Sequence, residues 1–128
     1  MNTSITPAAQ VIQELSINQF YERHHYLLTE HAWCVALVHD NTTIALKRIA
    51  TTDHGVGYGS AALDIFVALC DQYGCDIILE ADPFKVNNAQ GKPLTKARLQ
   101  KWYASRGFST ENTGYVGTGV IMKRLAQK

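Results

Sequence analysis

The spacing of apolar positions changes along this chain, and each change marks an element. From Pro7 to about Leu28 the apolar set Val11, Ile12, Leu15, Phe20, Leu27 and Leu28 is loosely helical. Thr6 stands as N-cap with Pro7 in the first helical position, and Ser16-Ile17-Asn18-Gln19 reads as a second start, a capping box. This predicts two short helices or one bent helix. Trp33 to Val38 and Thr43 to Ala50 are β-prone runs separated by Asp40-Asn41, a hairpin signal. Ser60 to Tyr73 carries a broad apolar face that ends at Gly74, predicting a helix packed on a sheet. Asp76 to Ala81, centred on Ile77-Ile78-Leu79, suits an internal parallel strand that completes a βαβ unit. After a polar loop from Pro83 to Pro93, Thr95 reads as the N-cap of a helix that runs to about Arg106 and stops at Gly107. Phe108 to Glu111 and Val120 to Leu125 read as two closing strands around a glycine-containing loop.

At 128 residues the chain is sized for one domain, divided into a helical front (1–32), a middle with hairpin, glycine turn, helix and strand (33–82), and a closing part with loop, helix and C-terminal hairpin (83–128). Hydrophobic residues make up 46% and charged residues 18%, ordinary for a globular domain. The formal net charge of +1 argues against bulk electrostatic binding to nucleic acid or membrane. No apolar run approaches the ~20 residues of a membrane span, and no signal core stands at the start. Cys34, Cys70 and Cys75 form no CxxC pair, which suits a reduced, cytoplasmic chain, and the five histidines do not match a zinc spacing. Oligomeric state is open between monomer and homodimer.

The candidate chemistry centres on His54-Gly55-Val56-Gly57-Tyr58-Gly59-Ser60. Glycines between a strand and a helix start let a ligand approach the backbone, and the exposed N–H groups with the helix dipole suit a pyrophosphate. No lysine follows the glycines as a P-loop requires, and the third glycine of a dinucleotide fingerprint falls on Ser60 or Ala62. His54-x-x-Gly57-x-Gly59 followed by Ser60-Ala61-Ala62-Leu63 resembles the acyl-CoA-binding motif of the GCN5-related N-acetyltransferases, with His54 where that family usually has Arg or Gln. Trp102-Tyr103-Ala104-Ser105-Arg106-Gly107-Phe108 resembles the family's second signature, Leu79-Glu80-Ala81 falls at its fifth strand, and Met122-Lys123-Arg124 at its closing strand. The ordered set spans about Thr43 to Arg124.

The resemblance implies an α/β fold, a central mixed sheet of five to seven strands flanked by helices on both sides, with a shortened front. It implies an acetyl-CoA-dependent N-acetyltransferase acting by direct attack of an amine on the thioester, with acetyl-CoA as co-substrate and no metal. A protein or peptide amine is the favoured acceptor class. The implied pyrophosphate cradle is His54, Gly55, Val56, Gly57, Tyr58, Gly59 and Ser60, and Arg48 and Ile49 are implied main-chain contacts of the pantetheine arm. Tyr103 takes the place of the general acid near the sulfur, and Glu80 that of the general base. Each has a plain structural alternative: a core residue for Ile49, a half-buried helix aromatic for Tyr103, a paired carboxylate for Glu80. Trp102 is expected in the core. The family's helix asparagine is replaced by Lys96. A non-catalytic module on the same scaffold, acting through a protein partner, is the competing expectation, and Trp33, His24, His25 and Tyr26 mark a candidate partner surface.

Overall fold

A computed structural model describes residues 5–52, 57–81, 95–116 and 119–127, without the side chains of Lys96 and residues 112–116. Helix α1 (Pro7–Ser16) opens the described chain. Strands β1 (His25–Thr29), β2 (Ala32–Asp40) and β3 (Thr43–Thr51) follow, then α2 (Tyr58–Gln72), β4 (Asp76–Ala81), α3 (Lys96–Ala104), β5 (Ser109–Val116) and β6 (Gly119–Arg124). The strands make one six-stranded sheet in the order β1-β2-β3-β4-β6-β5. Only the β3–β4 pair is parallel, as expected for strands joined through a crossover helix.

The front differs from the sequence expectation. Thr6 caps α1 through a 3.2 Å bond to the Ala9 N–H, but no second helix starts at Ser16. The Ser16 hydroxyl donates back to the Ile12 carbonyl at 2.7 Å. The next amides, Ile17, Asn18 and Gln19, bond three residues back to Glu14, Leu15 and Ser16, a tightening that ends the helix. His25 to Thr29 then enters the sheet as β1, with Tyr26 opposite Cys34. The front is therefore a helix and a strand, not helical throughout.

The core lies on one side of the sheet. Tyr26, Cys34, Ala36, Ile44, Leu46, Ile77, Leu79, Val120 and Met122 are buried there. They pack with Val11 and Leu15 of α1, Leu63, Phe66 and Cys70 of α2, and Leu99 and Tyr103 of α3. All three described helices lie on that face, because the side chains buried against them alternate with the other set along β2, β4 and β6. The expectation of helices on both faces is corrected accordingly. The alternate positions Trp33, Val35, Leu37, Ile78, Glu80 and Ile121 are half-buried on what is termed the open face. On α2 the apolar face is narrower than the sequence suggests, since Ile65 is exposed. The three cysteines are buried and free.

Candidate functional site

The β3–β4 ladder carries four pairs, from Thr43↔Asp76 to Leu46↔Leu79. Beyond Leu46 a bulge shifts the β2–β3 register, so that Ala36 faces Leu46 whereas Val35 faces Arg48. The rest of β3 continues on β2 alone, while Glu80 and Ala81 continue on β6 alone. The sheet thus splits between its two central strands, and Arg48 and Ile49 lie along one side of the split. Arg48 is exposed and Ile49 is half-buried against the core, so the core alternative for Ile49 holds.

Helix α2 begins beside the split. Gly57 is its N-cap at φ +83, a left-handed conformation in which a side chain is strained. Helices α1 and α3 each begin with a threonine whose hydroxyl accepts a first-turn amide; α2 has no side-chain cap. The first intrahelical bond at Gly57 runs from the Ala61 N–H, 3.0 Å. The earlier amides of Tyr58, Gly59 and Ser60 are the ones a helix leaves without an intrahelical acceptor, at its positive end. His54, Gly55 and Val56, assigned to the same cradle by sequence, lie outside the described residues, as do the Pro83–Pro93 loop and Asp82.

Helix α3 is fastened against this turn by contacts that the sequence pattern does not reveal. The Trp102 indole N–H donates to the Ser60 hydroxyl at 2.9 Å, and Arg106 Nε pairs with Asp64 at 2.8 Å. The Arg106 guanidinium also stacks over Trp102. Trp102 is therefore half-buried and holds the start of α2, a role beyond core packing. Gly107 at φ +92 turns the chain into β5, and a Cβ there would come within 2.6 Å of Gln127 Nε2 and 3.2 Å of Arg124 Nε. Beside the closer Gln127, Arg124 supplies the rest of the crowding. It is 3% exposed, donates from Nε to the Arg106 carbonyl at 2.7 Å, and grips Asp71 with both terminal nitrogens at 2.6 and 2.9 Å. The guanidinium holds the Asp71 carboxyl below the usual carboxylate range.

Tyr103 and Glu80 stand on opposite faces of the sheet. Tyr103 is 6% exposed on the helix face, packed against Trp102 and Phe108 with ring centres at 5.0 and 5.4 Å. Burial pushes its hydroxyl up to about 12, so it keeps its proton across the neutral range. Glu80 is on the open face, half-buried. Its side chain lies over Gly119, where an added Cβ would stand 2.6 Å from Oε2 and 2.7 Å from Cδ. The glycine is thus the floor on which the carboxylate rests.

A six-stranded mixed sheet split at its parallel pair, with a glycine-capped helix at the split, decides the fold. It is the fold of the GCN5-related N-acetyltransferases. Solved structures of this fold superpose over most of the chain. Ard1 from Thermoplasma volcanium is 15% identical with a TM-score of 0.58, covering 96% of this chain and 95% of its own. The PaiA N-acetyltransferase from Thermoplasma acidophilum, in complex with coenzyme A, is 14% identical with a TM-score of 0.52, over 74% of this chain and 53% of that one. Naa50 from Arabidopsis thaliana, in complex with the bisubstrate analogue CoA-Ac-MVNAL, is 15% identical with a TM-score of 0.51, over 73% and 64%. The chain spans about half to two-thirds of the length of these last two. No family profile and no curated protein sequence matches the chain. Among the described residues no cluster of three metal-ligating side chains occurs, and no helix is long and apolar enough to cross a membrane.

Proposed function

We propose that this protein is a cytoplasmic acetyl-CoA-dependent N-acetyltransferase acting on a protein or peptide amine. The observation that carries the reading is the split after Leu46↔Leu79, with a glycine-capped helix start beside it and Tyr103 and Glu80 on its two faces. In this reading the pyrophosphate rests on the amides of Gly57 to Ser60, together with His54, Gly55 and Val56. The pantetheine arm follows Arg48 and Ile49 into the split, where main-chain groups polarise the thioester carbonyl. The acceptor amine approaches from the open face and Glu80 takes its proton. Nitrogen attacks the carbonyl carbon, the carbon–sulfur bond breaks, and Tyr103 protonates the departing thiolate. Tyr103 is suited to that step because it remains a phenol at neutral pH.

The likeness to proteins solved with coenzyme A and with CoA-Ac-MVNAL supports the donor and the acceptor class. The deep burial of Tyr103 favours a second reading, a non-catalytic module that holds CoA and acts through a protein partner. Thermal melting with acetyl-CoA, CoA, ATP and NAD tests the donor: at a hundredfold excess over Kd the first two stabilise by about 2.7 kcal/mol, several degrees. Absence of a shift with CoA refutes both readings. Thiol release with a pool of peptides and small amines then separates them, since only the first produces free CoA from acetyl-CoA in an acceptor-dependent way.

A further inference from the structure

The open face carries an aromatic cluster that the reaction above does not use. Phe20 meets Trp33 edge-on at 5.6 Å and His25 at 6.2 Å, His25 lies 5.4 Å from Trp33, and Tyr21 meets His25 at 5.3 Å. Trp33 and His25 alternate with the buried Cys34 and Tyr26, so both rings stand on the face away from the helices. Arg48, at the edge of the split, places its guanidinium over Trp33 at 5.6 Å.

The loop that brings Phe20 and Tyr21 to this face is strained. The Phe20 amide bonds to the His25 carbonyl at 3.1 Å and the Leu27 amide to the Asn18 carbonyl at 2.9 Å, closing a tight hairpin. Within it Tyr21 and His24 are the described non-glycine residues with positive φ, at +64 and +71. A left-handed tyrosine is disfavoured unless something holds it there. Yet Tyr21 is 84% exposed, so burial of its ring does not repay the strain. The loop presents an aromatic ring to solvent at a conformational cost, beside three others and a cation.

We infer that Phe20, Tyr21, His25 and Trp33 bind an apolar or aromatic side chain of the acceptor peptide, about four residues from its reacting amine. The inference rests on the acetyl-transfer reading for the position of that amine, at Glu80. From Glu80 to Trp33 the face spans two strand spacings across, ~10 Å, and about two residues along the strands, ~7 Å, hence ~12 Å in all. An extended peptide covers this in about four residues at ~3.3 Å each. Arg48 lies between, with its donors available to peptide carbonyls and its stem against Trp33. Apolar rings bind apolar side chains, and the cation between them and Glu80 suits a main chain crossing the split rather than a free hydrocarbon.

The test compares two otherwise identical peptides, one with Phe and one with Gly at the fourth position. Each is titrated calorimetrically into the CoA-loaded protein and then used as acceptor with acetyl-CoA. The Phe peptide is expected to bind about tenfold more tightly. Tyr21→Gly relieves the backbone strain, so the variant melts no lower than the parent, yet it shrinks the preference severalfold, and Trp33→Leu does the same. In turnover the loss falls on KM for the Phe peptide. Equal affinity of the two peptides, or a preference that Tyr21→Gly leaves intact, overturns the inference even where acetyl transfer is found. If CoA fails to bind, the same titrations run on the protein alone still decide the peptide site, and the acetyl-transfer reading falls separately.

Discussion

Gly119→Ala tests the placement of Glu80 without altering the carboxylate itself. The added Cβ would meet Glu80 Cγ most closely, with Oε2 at 2.6 Å and Cδ at 2.7 Å, where ordinary contact begins near 3.4 Å, so the side chain must retreat by roughly 1 Å or more. Glu80 is half-buried, so its outer end can move, but the clash begins at Cγ, close to the strand, and the backbone must give with it. Alanine in place of glycine in β6 also reduces the entropy lost on folding, an offset of about 0.5–1 kcal/mol. Against an overpacking cost of about 1–3 kcal/mol, the fold should lose about 1–2 kcal/mol, melting a few degrees below the parent but still folded. A general base moved by that distance loses much of its effect, and positioned proton transfer contributes 10²- to 10⁴-fold. The expected kcat is about a hundredfold below the parent, with acetyl-CoA binding unchanged. Glu80→Gln should fall as far. The double variant should be no worse than Glu80→Gln, because both changes remove one function. The assay is acceptor-dependent thiol release together with a melting curve. Parental kcat in Gly119→Ala, or a double variant in which the two losses multiply, would show that Glu80 is not the base.

Four further outcomes rest on the geometry. Arg124→Met leaves Asp71 and the Arg106 carbonyl without their buried partner and should cost about 3 kcal/mol, near 10 °C in melting temperature. The same pair sets an acid dependence: the native Asp71 carboxyl titrates below its unfolded value, so its contribution is complete above the usual carboxylate range and is lost as pH falls through the depressed native value. Denaturant titrations from pH 6 to 2 should show that loss in the parent and a weaker one in Arg124→Met. Tyr103→Phe should lower kcat by about a hundredfold at little cost in stability, and no alkaline limb below pH 10 should belong to Tyr103, whose hydroxyl is raised to about 12. Gly57→Ala meets no atom within 4 Å, so its cost is the left-handed backbone alone, about 1 kcal/mol, read as a small melting shift.

Much of the fold was legible because its signals are local. Thr6 and Thr95 are N-caps where their positions suggest, the hairpin turns near Asp40, and the apolar run Ile77 to Leu79 is the parallel strand. The front was misread because Leu27 and Leu28 extend a helical spacing. What overrides them is the non-local pairing of Tyr26 with Cys34 and the back-bonded end of α1. That the described helices share one face depends on crossover directions, which no local pattern carries. The sequence singled out Glu80 and Tyr103 as candidates, but not the residues that hold them. Arg124 and Asp71 are 53 positions apart and Trp102 and Ser60 are 42 apart, and neither pair has a spacing rule. The Gly107-Phe108 step was visible as a motif; its reason, a left-handed turn crowded by Gln127 and Arg124, is visible only in three dimensions.

The four-pair ladder between β3 and β4 has a mechanical consequence. The sheet is two antiparallel plates of three strands, β1-β2-β3 and β4-β6-β5, sutured over a short length and bridged above by α2. Among the inner strands the suture is the shortest ladder, four pairs against eight for β2–β3 and five for β4–β6, so the inner sheet bends most easily there. A molecule wedged into the open end meets no ladder bonds to break, and it can change the angle between the plates without deforming either one.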